Sequence, residues 1–195
     1  LHNDSFEAPV ERGGRYFFRK RLAGQDLSLL CVRRGLNAAE EILIDPLPWS
    51  SDHSASVTFE NVSRDGRFVF YGRRDGGQDE ITPRVLDVEA KITLPDAFPK
   101  AQYFGLEPTP DNKGVYYSRV TPDGPRAFYH LMGSDGTNDK LIYGKHSRER
   151  EDSYVAIVGG RHLSRLSGQL RFRIGKNGDL CSEREGERPG GGRGQ

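Results

Sequence analysis

Short runs of apolar and aromatic residues, separated by Gly, Pro and Asp, recur along the chain, and no run shows convincing helical periodicity. A glycine followed by an aromatic run occurs at residues 14–18, 66–70 and 114–118, with a weaker fourth copy at 168–172. Asp precedes the glycine in the second and third copies, and Asp and Gly together favour tight hairpin turns because Gly adopts positive φ easily. The pattern predicts a hairpin at each copy and no helix of ten or more residues between residues 15 and 143.

Two further strand-like runs follow each of the first three copies, and another precedes the second copy. These seven runs are residues 27–33, 41–45, 56–60, 84–88, 91–94, 127–132 and 140–143. One repeat therefore holds about four short strands in about 50 residues, which is the strand count and period of a β-propeller blade. We predict an all-β chain in which residues 1–164 form a partial β-propeller of about three complete four-stranded blades.

The last part of the chain departs from this repeat. The fourth copy lacks the Asp-Gly turn and no second aromatic strand follows it, so residues 165–181 are predicted to form a degenerate, partial fourth blade. Residues 182–195 contain five Gly and six charged residues, a composition typical of a disordered tail. Propellers close with four to eight blades. We therefore expect an open arc, a fragment of a larger ring, rather than a closed four-blade ring.

Composition and charge narrow the classes of partner. The chain has 195 residues, of which 34% are hydrophobic, and its 29 basic and 28 acidic residues leave a net charge of +1. A chain so balanced has no overall field to attract nucleic acid or an anionic membrane surface. No apolar run approaches the 18 or so residues of a transmembrane helix. We expect neither nucleic acid nor membrane as a partner.

Cysteine and histidine usage gives no sign of a metal or a cofactor. Cys31 and Cys181 are too few for a disulfide framework, and this usage suits a reducing compartment, so a cytoplasmic location is expected. The five His are isolated from one another and from Cys, which predicts no metal site, and no phosphate-binding loop is present. His130 is expected to be a half-buried structural residue, and Trp49 to anchor its proline-rich loop onto a blade.

Several short motifs occur in a specific order between residues 9 and 164. They are Gly14-Arg15-Tyr16-Phe17-Phe18, Ile44-Asp45-Pro46, Ser63-Arg64-Asp65-Gly66, Gly76-Gly77-Gln78-Asp79-Glu80, Asp87-Val88, Leu94-Pro95-Asp96 and Tyr116-Tyr117-Ser118-Arg119. This series resembles the N-terminal propeller of the prolyl oligopeptidase family of serine peptidases. Members of that family carry a seven-blade propeller inserted in an α/β-hydrolase domain. The propeller caps the active site and admits only short peptides, and the peptidase cleaves after proline.

The resemblance implies that the chain is the substrate-access part of a serine endopeptidase for short proline-containing peptides, with the α/β-hydrolase domain as its partner. In the family the catalytic triad lies in that domain, C-terminal to the propeller. The chain contains no G-x-S-x-G nucleophile elbow, since residues 133–136 have the wrong spacing. No catalytic residue is therefore assigned, and the chain alone is expected to be inactive. The alternative is a free-standing β-propeller module that recruits protein partners on its rim.

The resemblance also implies two site residues, Asp79 and Tyr103. Asp79 matches an Asp that faces the hydrolase active site and pairs with a substrate-binding Arg, although Glu80 replaces the Trp that usually follows it. Tyr103 matches an aromatic residue that lines the substrate cavity from the propeller side. From the residue types alone, the simpler alternatives are a turn residue for Asp79 and, for Tyr103, an aromatic that fills space between blades.

Overall fold

The computed structural model describes residues 3–144, 155–158, 170–174 and 180–183. Within these residues the structure is almost entirely β, and the helical content is one 3₁₀ turn, Leu47–Trp49. The predictions of an all-β chain and of no long helix between residues 15 and 143 are therefore confirmed. The described residues include no helix with the length and apolar character needed to cross a membrane.

The first blade is an antiparallel sheet in which one edge strand is interrupted. Its strands are β1 (Ser5–Phe6), β2 (Val10–Arg12), β3 (Arg15–Arg21), β4 (Leu29–Arg33) and β5 (Glu40–Ile44). Both β1 and β2 pair with β3, β1 near its end and β2 near its beginning. Together they take the place of a single strand, so the sheet is four strands wide.

The second and third blades are regular four-stranded antiparallel sheets whose strand order follows the chain. The second contains β6 (Ser56–Val62), β7 (Phe68–Arg74), β8 (Thr82–Asp87) and β9 (Ile92–Thr93). The third contains β10 (Tyr103–Pro108), β11 (Gly114–Thr121), β12 (Gly124–Leu131) and β13 (Lys140–Tyr143). Each of the first three glycine phrases leads into the second strand of its sheet, as predicted.

The hairpin turns before β7 and β11 contain the predicted Asp and positive-φ residues, but in the third blade the positive-φ residue is Asn and not Gly. In the second blade Gly66 has a φ of +72°, and the Asp65 carboxylate accepts a hydrogen bond from the Ser63 hydroxyl at 2.6 Å. In the third blade Asn112, with a φ of +58°, holds the left-handed position. Gly114 lies beyond that turn, where a Cβ atom would meet the ring of Tyr129 at 2.3–2.4 Å. Close packing, rather than the turn, requires this glycine.

Apolar residues from neighbouring sheets meet in two buried clusters. The cluster between the first and second blades consists of Phe17, Leu30, Val32, Val57, Val62, Val69, Tyr71, Leu86 and Val88. The cluster between the second and third blades consists of Phe70, Val85, Phe98, Leu106, Val115 and Tyr117. Phe70 and Tyr71 are consecutive in β7 and point to opposite faces of the second blade. The second blade is thus apolar on both faces, as expected for a blade packed between two others.

The first blade carries apolar residues on its outer face as well, and we call this face the flank. Phe18, Leu29 and Cys31 form a small buried cluster there. Beside it lies a groove lined by Phe6, Glu7, Pro9, Tyr16, Phe18, Arg33 and Leu36. Phe6 and Leu36 remain 55% and 73% exposed. In the described part of the chain the three blades follow one another without closing a ring, which agrees with the expected open arc.

Near the C-terminus a further sheet contains β14 (Val155–Val158), β15 (Leu170–Ile174) and β16 (Leu180–Glu183). Strand β14 pairs with β15 in parallel, unlike the strands of the three blades. Most of the predicted degenerate blade, residues 165–181, and all but two residues of the predicted tail, 182–195, lie outside the described residues. Both remain predictions.

Candidate functional site

Asp79 and Tyr103 lie at the same end of the second and third blades, and we call this end the Asp79 face. Asp79 is in the loop between β7 and β8, and Tyr103 begins β10. A β-bridge joins the two segments, because Ile81 and Ala101 exchange backbone hydrogen bonds of 2.9 and 3.2 Å. The two residues that the resemblance singles out are therefore carried by adjacent segments.

The Asp79 side chain is exposed and is not used to build its loop. The turn in that loop is closed by the Gln78 amide, which donates to the Asp75 carbonyl at 3.2 Å. Gly76 and Gly77 provide the positive φ angles, +59° and +71°. Within the described part of the chain the Asp79 carboxylate has no hydrogen bond and no ion pair. The carboxylate is thus available to a group from outside these blades.

Tyr103 is held more tightly than Asp79. Its hydroxyl donates a hydrogen bond of 2.6 Å to the carbonyl oxygen of Pro99, and its ring lies 5.7 Å from the ring of Tyr117. Burial raises the pKa of Tyr103 above its ordinary value, so the hydroxyl remains a neutral donor. The ring also packs on the cluster between the second and third blades, which is the packing role given by the simpler alternative. This packing fixes where the edge of the Tyr103 ring lies on the Asp79 face.

Trp49 and Arg73 fix the neighbouring loop on the same face. The Trp49 ring stacks on Tyr71 with 6.2 Å between centroids, so the prediction that Trp49 anchors its loop is confirmed. The Arg73 guanidinium lies 5.5 Å from the Trp49 ring centroid and donates to the Trp49 carbonyl at 3.1 Å. Its Nε donates to Asp75 at 2.8 Å. Arg73 therefore joins the Trp49 loop to the loop that carries Asp79, a role that sequence spacing did not indicate.

The chemistry available on this face is that of binding. It offers a free carboxylate at Asp79, the aromatic residues Trp49 and Tyr103, and Lys100, whose ammonium donates to Gln78 at 2.5 Å. In the described ranges no three His, Cys, Asp or Glu residues are grouped so that they could hold a metal ion. A free carboxylate on the same face as half-buried aromatic rings suits a cationic and partly apolar partner.

Comparisons with known proteins agree with the fold. The family model for the prolyl oligopeptidase N-terminal beta-propeller domain matches residues 1–158. The prolyl endopeptidase of Elizabethkingia meningoseptica is 25% identical over 164 residues, which cover 78% of this chain and 23% of that protein. Prolyl oligopeptidase A of Galerina marginata is 28% identical over 160 residues, which cover 68% of this chain and 21% of that protein. The chain thus spans less than a quarter of the length of these relatives.

Solved structures show the same architecture. A prolyl endopeptidase superposes with a TM-score of 0.72 at 23% identity, covering 95% of this chain and 29% of that one. Prolyl oligopeptidase B of Galerina marginata, solved with a 35mer hydrolysis and macrocyclization substrate, gives a TM-score of 0.60 at 22% identity, covering 73% of this chain and 23% of that one. The family match extends over most of the sequence and includes all three blades. The chain belongs to the prolyl oligopeptidase family, as its N-terminal β-propeller domain.

Proposed function

We propose that these blades are the substrate-access part of a prolyl oligopeptidase-type serine endopeptidase that cleaves short proline-containing peptides. The Asp79 face is the side that meets the α/β-hydrolase catalytic domain. There the blades cover the active site, so that only short peptides reach it.

One observation carries this proposal: the unpaired carboxylate of Asp79 lies on a segment that is hydrogen-bonded to the segment leading into Tyr103. A carboxylate with no partner in its own blades can pair with a cation of the facing domain, and a charged hydrogen bond excluded from water contributes about 1.5–3 kcal/mol. The fixed edge of Tyr103 would form an apolar wall next to that pair. Catalytic Ser, His and Asp residues would come from the hydrolase domain.

We further propose a cytoplasmic location, which is favoured by the buried free thiol of Cys31. Burial raises the pKa of that thiol to about 11, so the group is inert as a nucleophile. Fractionation of cells that produce the tagged chain tests this location, and recovery outside the cytoplasm contradicts it.

A binding experiment tests the assignment of the Asp79 face. The 195-residue chain is immobilised, and the separately produced α/β-hydrolase domain of the Elizabethkingia meningoseptica prolyl endopeptidase is passed over it. We expect binding that weakens about tenfold in Asp79→Asn, because one charged hydrogen bond becomes a neutral one. The matched control is Asp135→Asn, which changes an exposed carboxylate in the loop after β12, away from the Asp79 face.

The two variants separate the possible results. Unchanged affinity in Asp79→Asn, or an equal loss in both variants, contradicts the assignment of this face to the hydrolase domain. Weaker binding at high salt in the wild type, and not in Asp79→Asn, would support an ion pair as the source of the difference.

A further inference from the structure

His130 lies fully buried between two carboxylates, and not half-buried as its sequence context suggested. Its Nε2 is 2.9 Å from Oδ1 of Asp96, and its Nδ1 is 2.8 Å from Oδ1 of Asp139. The same oxygen of Asp96 accepts a hydrogen bond of 2.7 Å from the Gly133 amide. The hydroxyl of Tyr117 donates to the other oxygen of Asp139 at 2.7 Å.

With both carboxylates ionised, this geometry requires a proton on each ring nitrogen of His130. A neutral imidazole has one N–H donor and one lone pair. In that form one of the two carboxylate oxygens would face a lone pair at less than 3 Å, which is repulsive. The imidazolium form donates to both carboxylates and satisfies both contacts. We therefore infer a cationic His130 between two anionic Asp side chains.

The three residues connect two blades. Asp96 belongs to the segment that follows β9 of the second blade, whereas His130 and Asp139 belong to the third blade. The two segments approach so closely that a Cβ atom on Gly136 would lie 2.2 Å from the Ala97 carbonyl oxygen. The ring of Phe98 covers the His130 ring at 4.4 Å between centroids. The cluster is thus a buried, charged contact across a blade interface.

The electrostatic surroundings favour the charged ring. Burial by itself would lower the pKa of His130, but the hydrogen bonds and charges of Asp96 and Asp139 outweigh it, so the pKa lies above its ordinary value. The other titratable or charged groups on this side, in the part of the chain that the structure describes, are Tyr117, which is bonded to Asp139, together with Arg119, Tyr103 and the exposed Asp135. Among the described residues, no cation other than His130 is hydrogen-bonded to either carboxylate.

We propose that Asp96, His130 and Asp139 form a proton-operated latch that holds the second and third blades together while His130 is cationic. When His130 loses one ring proton, two carboxylates contact an uncharged ring that can donate only one hydrogen bond. Oδ2 of Asp96 is already buried without a hydrogen-bond partner among the described residues, so the Gly133 amide is then the one donor left to the Asp96 carboxylate in this part of the chain. The segment that carries Asp96 then separates from the loop between β12 and β13.

The sign of the pH effect follows from the raised pKa. The latch contributes its full stabilisation below the ordinary pKa of histidine, near 6.5, and loses it as pH rises through the higher pKa of the folded state. The interface between the first and second blades combines an apolar cluster with ion pairs of Glu89 with Arg15 and Arg34 and of Glu41 with Lys91. Since the described residues place no buried histidine there, this interface should not respond to pH over this range.

Two measurements on the full chain test the latch. Nitrogen NMR of histidine-labelled protein follows both ring nitrogens of His130 from pH 6 to 9, and the exposed His53 serves as an internal control. Amide hydrogen exchange, corrected for intrinsic rates, follows residues 96–98 and 133–139 over the same range. We expect His130 to keep both protons to a pH above the ordinary pKa of histidine, near 6.5. We also expect protection in these segments to fall about tenfold to a hundredfold when it titrates, the effect of one charged hydrogen bond.

Isosteric variants sharpen the test. Asp139→Asn keeps the acceptor oxygen for His130 but removes a charge, so His130 and the loss of protection should both titrate at lower pH. Asp26→Asn, which changes an exposed carboxylate in the loop between β3 and β4 of the first blade, should leave the profile close to that of the wild type. A single protonated ring nitrogen at pH 6, or protection that is independent of the His130 titration, overturns the proposal. Both results come from the wild-type chain and do not depend on a variant that folds.

Discussion

The first hairpin turn contains two adjacent glycines in very different surroundings. Gly13 and Gly14 both have positive φ, +58° and +76°. A Cβ atom on Gly13 would lie 2.3 Å from the backbone oxygen of Asp65, in the corresponding turn of the second blade, whereas one on Gly14 would meet nothing within 4 Å. Substituting each with Ala therefore separates the strain of the turn from the packing of one blade's turn on the next.

The expected magnitudes follow from these distances. A left-handed conformation costs a residue other than glycine roughly 1–2 kcal/mol, and both variants incur this cost. Gly13→Ala must also displace the backbone of the second turn, and overpacking of this kind costs about 1–3 kcal/mol more. We expect Gly14→Ala to lower the free energy of unfolding by about 1–2 kcal/mol and Gly13→Ala by about 2–5 kcal/mol.

Urea unfolding of the full chain at low protein concentration measures both values. The single Trp of the chain, Trp49, packs on the cluster between the first two blades, so its fluorescence reports the separation of these blades as well as unfolding. Equal losses in the two variants would refute the packing of the first turn on the second. A larger loss in Gly14→Ala would refute the assigned turn geometry itself.

Three further predictions concern the core, the chemistry and the flank. Phe70→Ala empties a buried site between the second and third blades and should cost about 3–5 kcal/mol in urea unfolding, whereas a loss below 1 kcal/mol would place Phe70 outside a packed core. The purified chain should not hydrolyse a proline-containing fluorogenic peptide, because it contains no G-x-S-x-G elbow, and activity sensitive to a serine-directed inhibitor would contradict this. Light scattering at rising concentration should show self-association through the apolar flank, and a monodisperse, cooperatively melting monomer would count against it.

The repeat was visible in the sequence because turn chemistry is local. Asp and Gly act within four residues of each other, and the hairpin in the second blade forms as predicted at Asp65 and Gly66. In the third copy the role of the glycine could not be predicted from the neighbouring residues. Its glycine, Gly114, aligned with the turn glycine of the other copies, but Asn112 takes the left-handed position because its short polar side chain tolerates positive φ. What Gly114 accommodates is the Tyr129 ring on the neighbouring strand, which only the folded sheet brings there.

Within the three blades, three strands were not predicted, and each has a reason. Strands β1 and β2 have two and three residues, too few to show an alternating pattern. Strand β10 begins with a β-bulge between Tyr103 and Gly105, where the pairing register shifts, and it ends at Pro108. A bulge interrupts the alternation of side chains, and both Gly and Pro argue against a strand when only the sequence is considered.

The candidate site was predicted by resemblance and could not have been derived from spacing. Asp79 and Tyr103 are 24 residues apart in the chain, and their segments are bridged at Ile81 and Ala101 only because the second and third blades pack side by side. The same holds for Asp96 and His130, which are 34 residues apart. Contacts between blades depend on how neighbouring sheets pack against each other. A repeat pattern predicts the strands of each sheet, but it does not predict which residues of two neighbouring sheets meet.

Two consecutive aromatic residues in a strand indicate that both faces of the sheet carry apolar side chains, and the strand prediction did not use this. Phe17 and Phe18 are consecutive in β3, so they face opposite sides of the first blade. Phe17 is buried against the second blade, and Phe18 lies on the flank beside the exposed Phe6. A sheet that ends an array needs only one apolar face, and this one has two. The second apolar face, with the exposed Phe6 and Leu36 beside its groove, is the surface through which the self-association predicted above would form.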